Sequence, residues 1–294
     1  MSYELRAKWL ESKVHKHLPG ESLEQKLEER LEEDKFIKFL GKYIVGIADH
    51  IGKLVLLFFQ IIFWTFRRPY DLKNINKQMN EIGVNSLVVT SLTSVSVGMV
   101  LALQMGAASK NILGEPLYVG TAVGFSMVKE LGPVLTSIVI AGRVGAAITA
   151  ELGTMRVTEQ IDALYTLGAN PVKYLVVPRF LSCVVMVPVL TVFSNILGII
   201  GGFFVSVYKM AIPSTRYYHD IIDFMRGKDI IHGLIKCVVF GIIIALISCY
   251  KGFTTEGGAE GVGKATTQSV VISMVLILVT DTFLTNILQF IGIG

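Results

Sequence analysis

Five ionisable residues sit inside apolar runs where a charge is expensive: Lys129, Glu130, Arg143, Lys236 and Asp281. A charge at such a place pairs, snorkels to an interface or faces a polar cavity, so each is a candidate functional position. Arg143 and Lys236 can be read as snorkelling from helix ends, and Lys236 also as a partner for Asp281 if their helices adjoin at similar depth. Lys129 and Glu130 are consecutive, so on a helix they diverge by about 100° and cannot both face lipid while satisfying each other. One or both should face a polar cavity.

Other chemistry has little support. Gly258-Ala-Glu-Gly-Val-Gly263-Lys264-Ala265 has the G-x-x-x-x-G-K spacing of a phosphate-binding loop, but Ala265 stands where Ser or Thr would hold Mg²⁺. No strand precedes it to aim backbone N–H groups at a phosphate, so a flexible glycine loop is the expectation. Neither H-E-x-x-H nor G-x-S-x-G occurs, and His15, His17, His50, His219 and His232 lack ligand spacing. No catalytic residue, metal ligand or cofactor is therefore assigned to this chain. Cys183, Cys237 and Cys249 all fall in apolar runs and read as small core residues, not as a disulfide framework.

The elements that would position these charges follow from composition. Of 294 residues, 52% are apolar and 17% charged, and the mean hydropathy of +0.60 excludes a solvated globular domain. The chain is read as an all-α integral membrane protein. Its 27 Lys+Arg and 23 Asp+Glu are uneven: residues 1–82 carry 14 and 12 of them. The net charge of +4 reflects basic membrane flanks and not a nucleic-acid surface.

Residues 1–40 read as a cytoplasmic amphipathic extension, in which Leu23, Leu27 and Leu31 recur every four positions among charges, with no cleavable signal peptide. That helix is either simply solvated or docks a partner. Residues 41–82 form an interfacial elbow helix, interrupted by Asp49, His50, Lys53 and Gln60, and a basic collar of Arg67, Arg68, Lys73 and Lys77. From 83 to 294, apolar helices are expected at about 84–106, 118–150, 179–208, 231–250 and 268–291. Five spans place the C-terminus outside, and the excess of Lys+Arg in the inside segments supports that orientation. The second span is too long, roughly 50 Å against a hydrocarbon core of about 30 Å, and Pro133 is its obvious kink. Small residues four apart (Gly120 and Gly124, Ala141 and Gly145, Gly142 and Ala146, Gly198 and Gly202) predict close helix contacts, either within the chain or in a homodimer.

Residues 151–171 join the second and third spans. They read as a short amphipathic cytoplasmic helix capped by Thr158, with Ile161, Leu164 and Leu167 as its apolar edge and Gly168 and Pro171 closing it. Held between two spans, such a helix is a lever.

On these residues the chain resembles the MlaE-type permease family, membrane subunits of ABC systems that move lipids with MCE proteins in bacterial envelopes. The resemblance runs from about Gly83 to the C-terminus. It rests on Gly98-Met-Val-Leu-Ala-Leu-Gln104, Lys129-Glu-Leu-Gly-Pro133, the stretch from Ala141 through Arg143 and Glu151 to Asp162, Pro178-Arg179-Phe180, and Gly261-Val-Gly-Lys-Ala-Thr-Thr267. It implies a homodimeric permease with an elbow helix, five membrane helices per subunit and a coupling helix seated on a separate cytoplasmic ATPase (MlaF-like) that binds the ATP. The coupling residues would be Glu151, Arg156, Glu159, Gln160 and Asp162. It further implies a phospholipid pocket between subunits near the periplasmic side, bordered by Leu101, Gln104, Lys129 and Glu130. A periplasmic MCE protein (MlaD-like) and a small STAS-domain protein (MlaB-like) would be partners in the bacterial inner membrane, in support of outer-membrane lipid asymmetry. Residues 1 to about 38 look like an addition to the family's pattern, and Lys129 stands where Arg is common, which keeps the charge but loses a bidentate fork for phosphate.

Moving a phospholipid demands shielding, since two chains of some sixteen carbons would cost on the order of 25 kcal/mol to expose to water. Two other classes compete: a self-sufficient secondary transporter or channel, whose intramembrane charges would serve ions, and an intramembrane enzyme working without nucleotide.

Overall fold

A computed structural model describes residues 45–46, 48–67, 71–115 and 118–292. The expected helix bearing Leu23, Leu27 and Leu31, and Arg68 of the collar, lie outside the described residues. The chain divides into two compact units, 1–55 and 56–294. Among the described residues there is no strand, which fits the all-α reading. Bilayer-crossing helices satisfy their own backbone polar groups, and the sequence supplies them one after another.

We number the helices α1 Ala48–Thr65, α2 Leu72–Ile82, α3 Leu87–Leu113, α4 Val119–Val157, α5 Gln160–Thr166, α6 Val172–Tyr208, α7 Ser214–Phe224, α8 Gly227–Phe253 and α9 Gly258–Phe290. Six stretches are long and apolar enough to cross a membrane: α1, α2–α3 together, α4, α6, α8 and α9. The expected five spans are all present and are longer than sequence periodicity suggested. The protein is thus a multi-pass membrane protein. By length and composition α1 qualifies as well.

Asp71 starts α2 by accepting the Asn74 N–H at 3.2 Å, and a 3₁₀ turn at Val84–Ser86 links α2 to α3. Helices α3 and α6 cross with their backbones in contact. A Cβ at Gly98 would collide with the carbonyl oxygen of Gly198, so glycine at both positions lets the backbones touch. Gly98, Gly198 and Gly202 are therefore spent on packing inside the chain. The main apolar core joins α4, α6 and α8, with Ile140, Val144, Cys183, Val187, Phe240 and Ile244 fully or nearly enclosed. Cys183, Cys237 and Cys249 are free thiols in buried positions, as small core residues should be.

Helix α4 has 39 residues, about 58 Å at 1.5 Å per residue, and carries π turns at Met127–Leu131 and Ala141–Gly145. The first lies directly before Pro133, whose ring would clash with the carbonyl of Lys129 in a regular helix. The proline is thus accommodated by one widened turn.

Four expectations need correction. Residues 258–263 are not a glycine loop: they are the first turns of α9, and Lys264 pairs with Glu260 at 2.6 Å, one turn back. Thr158 does not cap α5. Its hydroxyl donates to the Thr154 carbonyl and ends α4, while Glu159, with φ of 60°, occupies the cap of α5. Of the expected apolar edge of α5, Ile161 and Leu164 pack inward but Leu167 is 80% exposed. Arg143 does not merely snorkel: its guanidinium donates to Ser86 Oγ at 3.0 Å and to the Glu81 carbonyl at 2.6 Å. Periodicity also missed α7, an amphipathic helix too short to register as a span. Tyr217 anchors it by donating to the Ile199 carbonyl at 3.0 Å, and burial pushes its phenol up from the ordinary value.

Candidate functional site

The widened turn of α4 faces α8. At Gly233 a Cβ would meet the Val128 carbonyl oxygen, so α8 can lie against the π turn only because that residue is glycine. Asp229, His232, Gly233 and Lys236 recur at i, i+3, i+4 and i+7 and form one buried face of α8. Lys129 and Glu130 diverge, as consecutive helical residues must, and each meets a different part of that face.

Lys129 is 4% exposed; its Nζ lies 3.4 Å from an Asp229 carboxylate oxygen and 4.3 Å from the centroid of the Phe125 ring. Glu130 Oε2 accepts from Lys236 Nζ at 2.5 Å, and its other oxygen accepts from Thr285 on α9 at 3.3 Å. Lys236 is wholly enclosed and also meets Asp281 Oδ1 at 2.9 Å. The expectation that Lys236 pairs with Asp281 holds, and its requirement that α8 and α9 adjoin at one depth is met. Three carboxylates face two ammonium groups, a formal excess of one negative charge.

Such a cluster is a poor source of net stability, because desolvating each ion costs several kcal/mol that the Coulomb attraction only about repays. It is, however, hard to break one member at a time. Of the three pairs, Lys129–Asp229 is the longest, and Glu130 keeps 38% of its side chain exposed. The opening of the cluster lies on the Glu130 side.

Leu101 and Gln104 lie one turn apart on α3. Leu101 is half-buried against Ala102, Val119 and Met127, whereas Gln104 is exposed. Among the described residues no hydrogen bond or ion pair joins either to Lys129 or Glu130. Asp229 and Thr285 are site residues that sequence reasoning missed. The i, i+3, i+4, i+7 stripe from Asp229 to Lys236 was the available signal, but the expected span began two residues after Asp229.

The other end of α4 holds the second candidate surface. Glu151, exposed, pairs with the buried Arg179 at 2.8 Å, and Arg179 also donates to the Leu175 carbonyl at 2.6 Å. Arg156 meets Asp162 at 2.7 Å across the α4–α5 turn. Gln160 donates to Thr158 Oγ1 at 3.0 Å, and Glu159 is exposed on its left-handed backbone. The structure thus gathers Arg156 and Asp162, and sets Glu151 of α4 apart from them, against Arg179 of α6. Tyr165 and Leu167 are 58% and 80% exposed beside them, giving α5 an apolar tip with charged flanks.

Comparison with known proteins matches residues 75–287 to the family model described as "Permease MlaE". The chain is 42% identical over 253 residues to the "Probable ABC transporter permease protein" of Rickettsia prowazekii, covering 86% of this chain and 97% of that one. It is 42% identical over 245 residues to the protein of the same description from Synechocystis sp., covering 82% and 92%. To the similarly described protein of Pyropia yezoensis it is 37% identical over 233 residues, covering 79% and 88%.

Proposed function

Because the chain belongs to the MlaE permease family, we propose that it is the membrane subunit of an ABC-type phospholipid transporter in a bacterial inner membrane. As a permease it carries cargo and is no catalyst; an ATPase subunit supplies the energy. It works as a homodimer, exchanging phospholipid with a periplasmic MCE protein and serving outer-membrane asymmetry, with a STAS-domain protein beside the ATPase. In this arrangement the N-terminus is cytoplasmic, α1 lies as an elbow in the headgroup plane, and the C-terminus is periplasmic.

The observation that carries the reading is the two-ended α4. Lys129 and Arg156 are 27 positions apart on one helix, about 40 Å. One end holds the charge cluster on α8 and α9, and the other holds α5 through Arg156–Asp162. A push on α5 is therefore delivered along α4 to the cluster, where packed elements shift between discrete arrangements. At the cluster, Lys129 exchanges the Asp229 carboxylate for a lipid phosphate, the 3.4 Å pair being the one most readily given up. Leu101 and Gln104 border the pocket in the dimer, and apolar side chains shield the tails.

The test is lipid analysis of the chain purified together with its ATPase. Lys129→Glu should retain less co-purified phospholipid than wild type; unchanged retention counts against the pocket. The same purification separates the rivals, since a secondary transporter or channel would move its cargo under an ion gradient with no ATPase attached.

A further inference from the structure

A cavity of about 250 Å³ opens far from the charge cluster, at the α5 end of the molecule. Its walls are the end of α1 with Trp64 and Arg67, the start of α2 with Asp71, and the α5–α6 turn and start of α6 with Asn170, Lys173 and Tyr174. Neither the cluster nor the Arg156–Asp162 contact uses these residues.

Two cations converge on one indole. The Arg67 guanidinium lies 5.8 Å and Lys173 Nζ 5.5 Å from the Trp64 ring centroid. Arg67 also lies 4.9 Å from the Phe63 ring. Among the described residues neither cation has an ion-pair partner. Asp71 is the one carboxylate in the wall, and one of its oxygens already caps α2 by accepting the Asn74 N–H. The cavity therefore carries a formal charge of +1. Asn170 Oδ1 accepts from the Val172 and Lys173 N–H groups at 2.9 and 3.2 Å, which leaves its amide group as a further donor. The α2 and α6 walls are fixed to one another, since Asn74 donates to the Tyr174 carbonyl at 3.3 Å and Ser182 to the Ile75 carbonyl at 3.2 Å.

The surroundings select the ligand. Trp, Tyr, Lys and Arg at helix ends are the residues of the membrane–water boundary, where phosphates of the bilayer lie. Tyr174 in the wall and Phe63, over whose ring Arg67 lies, are 51% and 55% exposed, an apolar margin suited to the first carbons of acyl chains and of no use to a soluble anion.

We propose that this cavity binds the phosphodiester headgroup of a monoanionic phospholipid in the leaflet on the α5 side, a resident lipid separate from the cargo. Arg67 and Lys173 neutralise the phosphate, Asn170 donates to it and Trp64 covers it. The lipid ties the end of α1 to the start of α6 beside α5. Because the site lies at the opposite end of α4 from Lys129, the assignment stands whatever the cargo is.

The sequence contains two tryptophans, so Trp9→Phe leaves Trp64 as a single reporter in the full-length chain. In phosphatidylcholine nanodiscs, quenching by brominated phosphatidylglycerol should exceed quenching by brominated phosphatidylcholine, with a preference of about 5-fold from the wall's net single positive charge. Arg67→Gln with Lys173→Gln should bring the preference below about 2-fold, whereas Lys129→Gln should keep it. Asp71→Asn, which retains a capping side chain, removes the wall's negative charge and should raise the preference, giving an independent check should the double variant fold poorly. Equal quenching by the two lipids in the Trp9→Phe chain overturns the proposal, as does a preference that survives the double substitution or ignores Asp71→Asn. Abolition of the preference by 50 mM inorganic phosphate at constant ionic strength would assign the cavity to a soluble anion and overturn the lipid.

Discussion

Lys236→Met is the sharpest perturbation of the charge cluster. The ammonium it removes is wholly enclosed and lies 2.5 Å from Glu130 and 2.9 Å from Asp281. Methionine fills nearly the same volume, so little packing is lost, and the cost is electrostatic: two carboxylates are left facing each other without their shared cation. Breaking a buried pair by deleting one partner costs about 3–5 kcal/mol, a factor of roughly 150 to 5,000 in the folded-to-unfolded ratio. The triple variant Glu130→Gln, Lys236→Met, Asp281→Asn removes all three charges together and should fall within about 2 kcal/mol of wild type, because desolvation costs disappear with the attractions. Equilibrium unfolding in mixed detergent–SDS micelles, followed by loss of helical circular dichroism, measures both. A Lys236→Met penalty below about 1 kcal/mol, or a triple variant as damaged as the single one, refutes the buried-cluster reasoning.

Further outcomes follow from other contacts. Gly98→Leu should cost at least about 1–3 kcal/mol in the same unfolding assay, because its side chain would occupy the Gly198 carbonyl; Gly142→Ala, whose Cβ would meet only Met274 Cε at 3.6 Å, should be silent. Glu159→Val should destabilise the α4–α5 turn by roughly 1–2 kcal/mol, since a β-branched residue resists the φ of 60° found there, and Glu159→Gly should not; loss of protection in hydrogen exchange across 158–168 reads the difference. Arg156→Glu breaks a half-exposed pair of small intrinsic worth, about 0–1 kcal/mol, so a fold near wild type combined with loss of the ATPase on co-purification would mark α5 as the contact. An ATPase retained at full stoichiometry by Arg156→Glu would remove α5 from that role.

Much of the architecture was legible because a bilayer imposes simple rules. Runs of twenty or more apolar residues can only be helices in lipid, so the five expected spans and the odd length of α4 were readable from hydropathy alone. Pro133 pointed to an irregularity, but a residue that lacks an N–H allows either a bend or a widened turn, and only the packing of α8 on Val128 distinguishes them. The charges Lys129, Glu130, Lys236 and Asp281 stood out because they interrupt apolar sequence. Asp229 did not, because it sits at the first turn of α8, where polar residues are ordinary. The glycines of 258–263 misled because glycine lowers helix propensity by about 1 kcal/mol each, a local preference that the long apolar helix behind them overrides. Thr158 misled because the same hydroxyl that can cap a helix can also bond back to the carbonyl four residues earlier.

By itself the sequence determined that the chain is helical, that it belongs in a membrane and which charges are out of place there, because hydropathy and period are local properties written along one dimension. The family to which it belongs was legible for the same reason, in the motifs around Lys129 and from Ala141 to Asp162. Tertiary structure alone decided which charge answers which: Lys129 with Asp229, and Lys236 between Glu130 and Asp281. Those partners lie about 100 or more positions apart along the chain, except for Lys236 and Asp281, 45 apart, and the approach of α8 to α4 that brings them together depends on glycine at 233. The convergence of Arg67 and Lys173 on Trp64 has the same origin, since nothing in a one-dimensional pattern records which helix ends share a side of the bilayer and touch.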